Sequence, residues 1–276
     1  MLFRSQNQRL RPFPQFNNVV EKTPPWGNSN YHSLNVKLEK RYSGGLNFLM
    51  NYTWSKFIDD VTANNELGND PAISSGYTHV ELRKLDRSLS GNDIRHRYVS
   101  SAVYELPFGR GRHWNISNPA LNHIAGGWGL GLLAEFRTGA PYGVIEQTNV
   151  SNTFSESQRP NLLRDPKMDH NSRADMLARY FDTSAFQAPG AGVFGNAARN
   201  VGFGPGFIGV DMSVHKRWPL TEQLGLQFRT DFYNLPNHPN FAQPARIRGR
   251  GDFGQIGSIL QGSNGRLIQF SMRLEF

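Results

Sequence analysis

The stretch FIDDVTANNELGND gathers Asp59, Asp60, Asn64, Asn65, Glu66, Asn69 and Asp70 into one oxygen-rich run. Such a set would suit Ca²⁺, a hard cation that takes carboxylate and carbonyl oxygens. The ligand spacing and central Gly of an EF-hand are missing, so the run reads as a solvated loop. Arg95, His96 and Arg97 suggest an anion site or a metal ligand. A lone His with no partner four residues on is more often structural. FGNAARNVGFGPG holds closely spaced Gly residues, but it lacks the strand, GxGxxG and helix order that cradles a phosphate. It reads as a loop folding back towards a strand. Ser, His and Asp residues occur without a nucleophile elbow. The expectation is therefore no enzyme, no catalytic residue, no metal and no cofactor. With no Cys in the chain, disulfides and thiolate metal sites are excluded.

The formal charge of +8 raises nucleic acid as a partner. The basic residues are dispersed, however: Arg87, Arg95 and Arg97 in one region, Arg110 and Arg112 in another, Arg246, Arg248 and Arg250 in a third. Binding a polyanion needs one stripe, so no nucleic-acid partner is expected.

The elements that carry these residues follow a period of two. Leu34, Val36 and Leu38 alternate with Asn35, Lys37 and Glu39, and a Ser43-Gly44-Gly45 turn follows. Leu46, Phe48, Met50, Tyr52 and Trp54 then alternate with Asn47, Asn51, Thr53 and Ser55. This is a strand pair joined by a tight hairpin. Tyr98 to Leu106 is less clean, because Val99 and Val103 compete with Tyr98, Ala102 and Tyr104 for the apolar face. Cleaner runs are Trp128 to Phe136, Ile208 to Trp218, Leu224 to Phe232, and the tail from Ile268 to Phe276. Seven strands are expected, near 32–42, 46–55, 97–106, 127–138, 207–218, 223–234 and 266–276. Each is about nine to twelve residues long, the length of a tilted membrane-crossing strand. One helix is expected from about Ser172 to Tyr180.

The links alternate in length. Those after Tyr42, Leu106 and Trp218 are short or intermediate, and those from Lys56 to Arg95, Gly139 to Gly206 and Pro236 to Gly265 are long. Outer-membrane barrels have short periplasmic turns and long outer loops. The mean hydropathy is negative and no apolar run reaches the roughly 18 to 20 residues of a spanning helix. A barrel escapes that test, because half of each strand faces a polar interior. Tyr, Trp and Phe recur near strand ends, where a membrane interface holds them. The fold class expected is all-β, an antiparallel meander of about seven transmembrane strands. The alternative is a soluble or surface β-sheet module that binds sugars through Trp and Tyr; extraction with or without detergent separates the two.

Several segments together resemble TonB-dependent receptors of the Oar-like type, which pair a carboxypeptidase-regulatory-like domain with a plug and a barrel. They are YHSLNVKLEKRYSGGLNFLMNYTWSKFIDD, DRSLSGNDIRHRYVSSAVYELPFGRGR, GGWGLGLLAEFRTGAPY, FGNAARNVGFGPGFIGVDMSVHKRW and LQFRTDFYNLPNHPNF, with the terminal Phe276. The resemblance implies a 22-stranded barrel in the cell outer membrane, with the C-terminus on the periplasmic side. It implies import of a scarce solute with energy passed on by TonB, and Phe276 as the signal read by the barrel-assembly machinery and the end of the closing strand. No signal peptide, TonB box, plug or regulatory-like domain is recognisable, and seven strands leave free edges that a membrane cannot satisfy. The chain is therefore expected to be the C-terminal part of a longer protein: residues 1–30 a remnant of an extracellular loop, residues 31–276 the barrel segment. Its partners would be outer-membrane lipid, the missing barrel and plug, and TonB only through that plug. Loops 56–95 and 139–206 would face the substrate, whose identity and contact residues the sequence does not specify.

Overall fold

The computed structural model describes residues 27–60, 84–151, 158–221 and 223–276, together with Phe13 and Gln15. Seven long strands dominate: β1 (Ser29–Ser43), β2 (Leu46–Asp59), β3 (His96–Glu105), β4 (Trp128–Arg137), β5 (Phe207–Pro219), β6 (Gly225–Tyr233) and β7 (Leu267–Glu275). They pair in chain order, antiparallel throughout, as one continuous meander. Ser88–Leu89 adds a stub beside the end of β2. The sheet is open, with β1 and β7 at its edges.

The register propagates one face across all seven strands. Val36 pairs with Tyr52, Tyr52 with Tyr98, Tyr98 with Phe136 and Phe136 with Ile208. Lower down, Met212 pairs with Leu132 and with Phe232, and Phe232 with Ile268. Alternation puts all of these side chains on one apolar face. The intervening residues, among them Lys37, Asn51, Arg97, Glu135, Asp211, Arg229 and Arg273, share the opposite polar face. Val99 pairs with Asn51 and Glu135, and Val103 with Asn47. Both valines therefore sit on the polar face, and the ambiguity in β3 resolves in favour of Tyr98, Ala102 and Tyr104.

β1 turns into β2 through Gly44 and Gly45, both at positive φ (61° and 81°), the left-handed pair that a two-residue hairpin demands. A Cβ on Gly45 would lie 2.7 Å from the Glu105 carbonyl oxygen, so this turn accepts no other residue without a shift. The links after Ser43, Glu105 and Pro219 leave one end of the sheet, and those after Asp59, Arg137 and Tyr233 leave the other. The alternation of short and long links thus has a spatial counterpart.

Strand lengths depart from the sequence reading. β1 and β2 run to 15 and 14 residues, beyond the expected limit. β2 continues past Ser55 because the long link after it comes back to pair: Ser55 N–H donates to the Arg95 carbonyl and Ser90 N–H to that of Phe57. At the tail the ladder stops at Glu275, and Phe276 is fully exposed. The expected closing strand is thus an edge strand that ends one residue early. The expected helix appears as α2 (Arg173–Ala178), capped by the Ser172 hydroxyl, with α1 (Pro119–Ala125) preceding it in the chain.

The core does not lie in the sheet. Among the described residues the only buried apolar side chain in a long strand is Ala134. Leu34, Leu38, Trp54, Phe270 and Met272 on the apolar face are all exposed, Phe270 at 70 %. The buried cluster is Tyr142, Val144, Phe181, Ala185 and Phe186, joined by Leu162, Tyr180, Val201 and Phe253. Every member belongs to the links at the long-link end.

Candidate functional site

The long links form a compact assembly above the sheet. Phe181 stacks on Tyr142 with ring centroids 5.1 Å apart and meets Phe186 and Phe253 edge-on. Short ladders stitch the links together: Gly202–Phe203 pairs with Pro141–Tyr142, Asn161–Leu162 with Phe186–Gln187, and Ile247–Arg248 with Ile145–Glu146. Gly139 and Gly204 make a close crossing, since a Cβ on Gly139 would fall inside the Gly204 carbonyl. Burial pushes the Tyr180 phenol up to about 12 and raises that of Tyr142 as well. Both stay protonated at neutral pH, and Tyr180 donates to the Phe203 carbonyl at 3.0 Å.

Ion pairs fasten the links to one another and, through Arg199, to the sheet. Arg199 reaches Asp59 at the end of β2 and also donates to the Asp59 carbonyl at 3.0 Å. Burial pulls its guanidinium down to about 10, which leaves it charged at neutral pH. Arg159 meets Asp86 at 2.7 Å with both side chains almost wholly buried. Asp93, completely buried, accepts from Phe57 N–H at 2.7 Å and from Arg95 at 3.3 Å. Glu146 receives Arg248 at 3.1 Å. Asp182 is a surface latch that accepts from Ser184 and from Arg164, each at 2.6 Å, and from Arg179 at 2.8 Å. The Ser184 hydroxyl, together with the two arginines, holds its carboxyl well below the usual range.

The segment YNLPNHPNF contributes a second kind of clamp. Asn234 and Asn237 adopt positive φ of 50° and 53°, a region that Asn tolerates better than most residues. The Asn234 side chain donates to the His238 and Asn264 carbonyls and accepts from His238 N–H. Asn240 accepts from Ile208 N–H at 2.8 Å and donates to its carbonyl at 2.9 Å. Its amide thereby imitates a ladder partner where β5 begins.

The polar face of the sheet is a mesh of short-range charge pairs. Lys37 meets Glu39 at 2.8 Å, Arg97 meets Glu135 at 3.1 Å, and Arg229 meets Asp231 at 2.8 Å. Arg217 spans β6 to reach Glu275 at 3.0 Å, passing over Gly225. His215 lies over Gly129, where a Cβ would come within 2.3 Å of its Nε2. Glycine in β4 and β6 thus makes room for long polar side chains. The face is therefore lined by paired charges and by glycines that leave them room.

The residues singled out for chemistry go to structural posts. Asp59 pairs with Arg199, and Asp60 accepts Asn28 N–H at 2.7 Å; Asn64, Asn65, Glu66, Asn69 and Asp70 lie outside the described residues. His96 contacts the Tyr52 hydroxyl through Nδ1 at 2.8 Å. Among the described residues no three His, Asp or Glu side chains converge on a metal position. The Gly-rich segment 194–206 does fold back onto the sheet end, as its sequence suggests, through Arg199, Asn200 and Gly202. Arg246 is buried, while Arg248 and Arg250 pair with Glu146 and Asp252. Loops 56–95 and 139–206 both enter the assembly where they are described. What the sequence did not reveal was the aromatic core linking 142, 181, 186 and 253; the clustered aromatics in YFDTSAFQ are its one local trace.

No helix among the described residues is long and apolar enough to cross a membrane, whereas the sheet presents a continuous exposed apolar face. In a soluble sheet that face would need a covering layer, so the sugar-binding alternative loses support. No curated protein matches the chain. Residues 3–269 match the family model described as an outer membrane beta barrel domain. Alternating faces, one-sided long links and that match agree, and the chain belongs to the outer membrane beta barrel domain family.

Proposed function

We propose that this chain is the C-terminal sheet of an Oar-like, TonB-dependent importer in the outer membrane, within a barrel of 22 strands. The observation that carries this reading is the pairing of a charge-meshed polar face with a tightly built assembly at the long-link end. A rigid loop platform over a hydrated interior is what capture and passage of a scarce solute require. The long-link end is then extracellular, and the short links and Phe276 are periplasmic. The open edges at β1 and β7 pair with the remaining strands, which satisfies backbone groups that lipid cannot. Phe276, exposed beyond the ladder, is free to be read by the barrel-assembly machinery. TonB acts only through a plug contributed by the rest of the protein, and the chain is a conduit without catalytic or cofactor chemistry.

The test is uptake by a Gram-negative host that expresses the complete reading frame containing this chain. Growth on limiting pools of siderophores, vitamins, oligosaccharides or peptides is compared with TonB intact, with TonB deleted and with the proton-motive force collapsed. Uptake that requires both is expected. Uptake that survives loss of TonB contradicts the importer reading and leaves the barrel assignment intact.

A further inference from the structure

A cleft of about 1380 Å³ opens at the long-link end, and it lies on the apolar side of the sheet. Its floor is Tyr52, Tyr98, Phe136 and Ile208, all on the face that continues through Met50, Ala134 and Val210. In an outer-membrane barrel that face meets hydrocarbon. The opposing wall comes from the link before and within α2 and includes Met168 and Met176, flexible side chains that adapt to an irregular apolar guest. Tyr98 and Phe136 pack at 5.8 Å and hold the floor rigid.

The charges around the cleft are unequal. Among the described residues, Arg95, Arg137, Lys167 and Arg173 line it against one carboxylate, Asp165. Arg95 is drawn towards Asp93 and the Phe203 ring, and Arg137 lies over the Phe207 ring. Asp165 accepts the Lys167 backbone N–H at 2.9 Å. The Lys167 and Arg173 side chains are exposed and enter no ion pair among the described residues. An apolar trough running into the hydrocarbon face, with two uncommitted cations at its upper rim, complements a molecule with hydrocarbon chains and an anionic head.

We propose that this cleft binds one membrane lipid with a net-anionic, phosphate-bearing headgroup. Its chains lie along Tyr52, Tyr98 and Phe136, and its phosphate meets Lys167 and Arg173. The lipid would fasten the α2 link to the rim of the sheet and so steady the loop platform from outside the barrel. The inference rests on the outer-membrane placement of the sheet and is independent of TonB-driven import.

Native mass spectrometry of the complete protein that contains this chain, in neutral-detergent micelles, provides the test, with dioleoyl phosphatidic acid and dioleoyl phosphatidylcholine offered in equal amounts. The expected result is one retained phosphatidic acid, favoured by about tenfold, as two exposed charge contacts would give. The double substitution Lys167→Gln with Arg173→Gln should erase this preference, and Phe136→Ala should lower retention of both lipids. Arg41→Gln, an exposed charge in β1 far from the cleft, removes one positive charge elsewhere on the sheet and should leave the preference unchanged. Equal retention of the two lipids overturns the proposal, as does a preference that survives in the double variant or is lost equally with Arg41→Gln. Displacement of the lipid by millimolar inorganic phosphate would indicate a free-phosphate site and overturn it too.

Discussion

The sheet and the link assembly above it are stabilised in opposite ways. The sheet buries almost no apolar side chain in its own strands; its cohesion comes from the backbone ladder, and its hydrophobic residues face outwards. The assembly is organised like a small soluble domain, with stacked aromatics at its centre and ion pairs removed from water around them. The difference teaches which solvent each part is written for. An apolar surface left bare by its own chain is stable only where lipid covers it, while the assembly stands in water and must make its own core.

The largest effect is expected at the buried charges. Arg159→Ala removes the guanidinium from the buried pair with Asp86, which should destabilise the assembly by about 3–5 kcal/mol. Denaturant titration followed by proteolysis of the 138–206 link should show this, with the sheet still protected. Phe181→Ala should come close behind, at about 3–5 kcal/mol for a buried Phe truncated to Ala. Phe270→Ala, on the exposed face, should change the stability of the assembly by less than about 1 kcal/mol, since it leaves no cavity there. Equal effects at 181 and 270 would dissolve the distinction between the two regions.

Neighbouring strand positions separate the two faces of the sheet. Leu132 and Leu133 are similarly exposed, at 40 % and 52 %, but they point to opposite faces. Leu132→Arg should cost about 2–4 kcal/mol of folding stability in lipid vesicles, while Leu133→Arg should be nearly neutral. In aqueous detergent with small micelles the gap should narrow. The smallest effect belongs to Asp182. Its folded-state acidity is stronger than in the unfolded chain, so the latch contributes stability above the unfolded carboxylate value of about 4. That contribution should fade as pH falls below this value towards the depressed one, and the protection of amides near Thr183, measured against their intrinsic exchange rates, should fall over the same interval. Asp182→Asn should abolish the pH dependence of that protection.

The sheet was readable from sequence because its information is local. Period-two alternation assigns each residue a face without knowledge of any partner, and Gly44-Gly45 fixes the first hairpin. The exceptions were also local in form but tertiary in cause. Val99 and Val103 are apolar residues on a polar face, sorted only by the cross-strand register with Asn51 and Asn47. β2 outruns its own pattern because Arg95 and Ser90 return to pair with it. The assembly was illegible because Tyr142, Phe181 and Phe253 lie far apart in the chain with no period relating them. Its ion pairs obey the same logic: nothing near Arg159 or Arg199 in sequence points to Asp86 or Asp59. The helix at α2, by contrast, was visible, since Ser172 and Asp175 carry its cap locally.

The absence of Cys from the chain makes the central claim, that the sheet divides lipid from water, directly measurable. Single Cys residues placed at 132 and 133 would carry a nitroxide label in lipid vesicles, and its collision with dissolved oxygen and with a water-soluble nickel chelate would be recorded. The account predicts that the label at 132 relaxes with oxygen and is shielded from nickel, and that the label at 133 does the reverse. Equal access of the nickel chelate to both positions would contradict it, and would mean that the sheet has water on both sides.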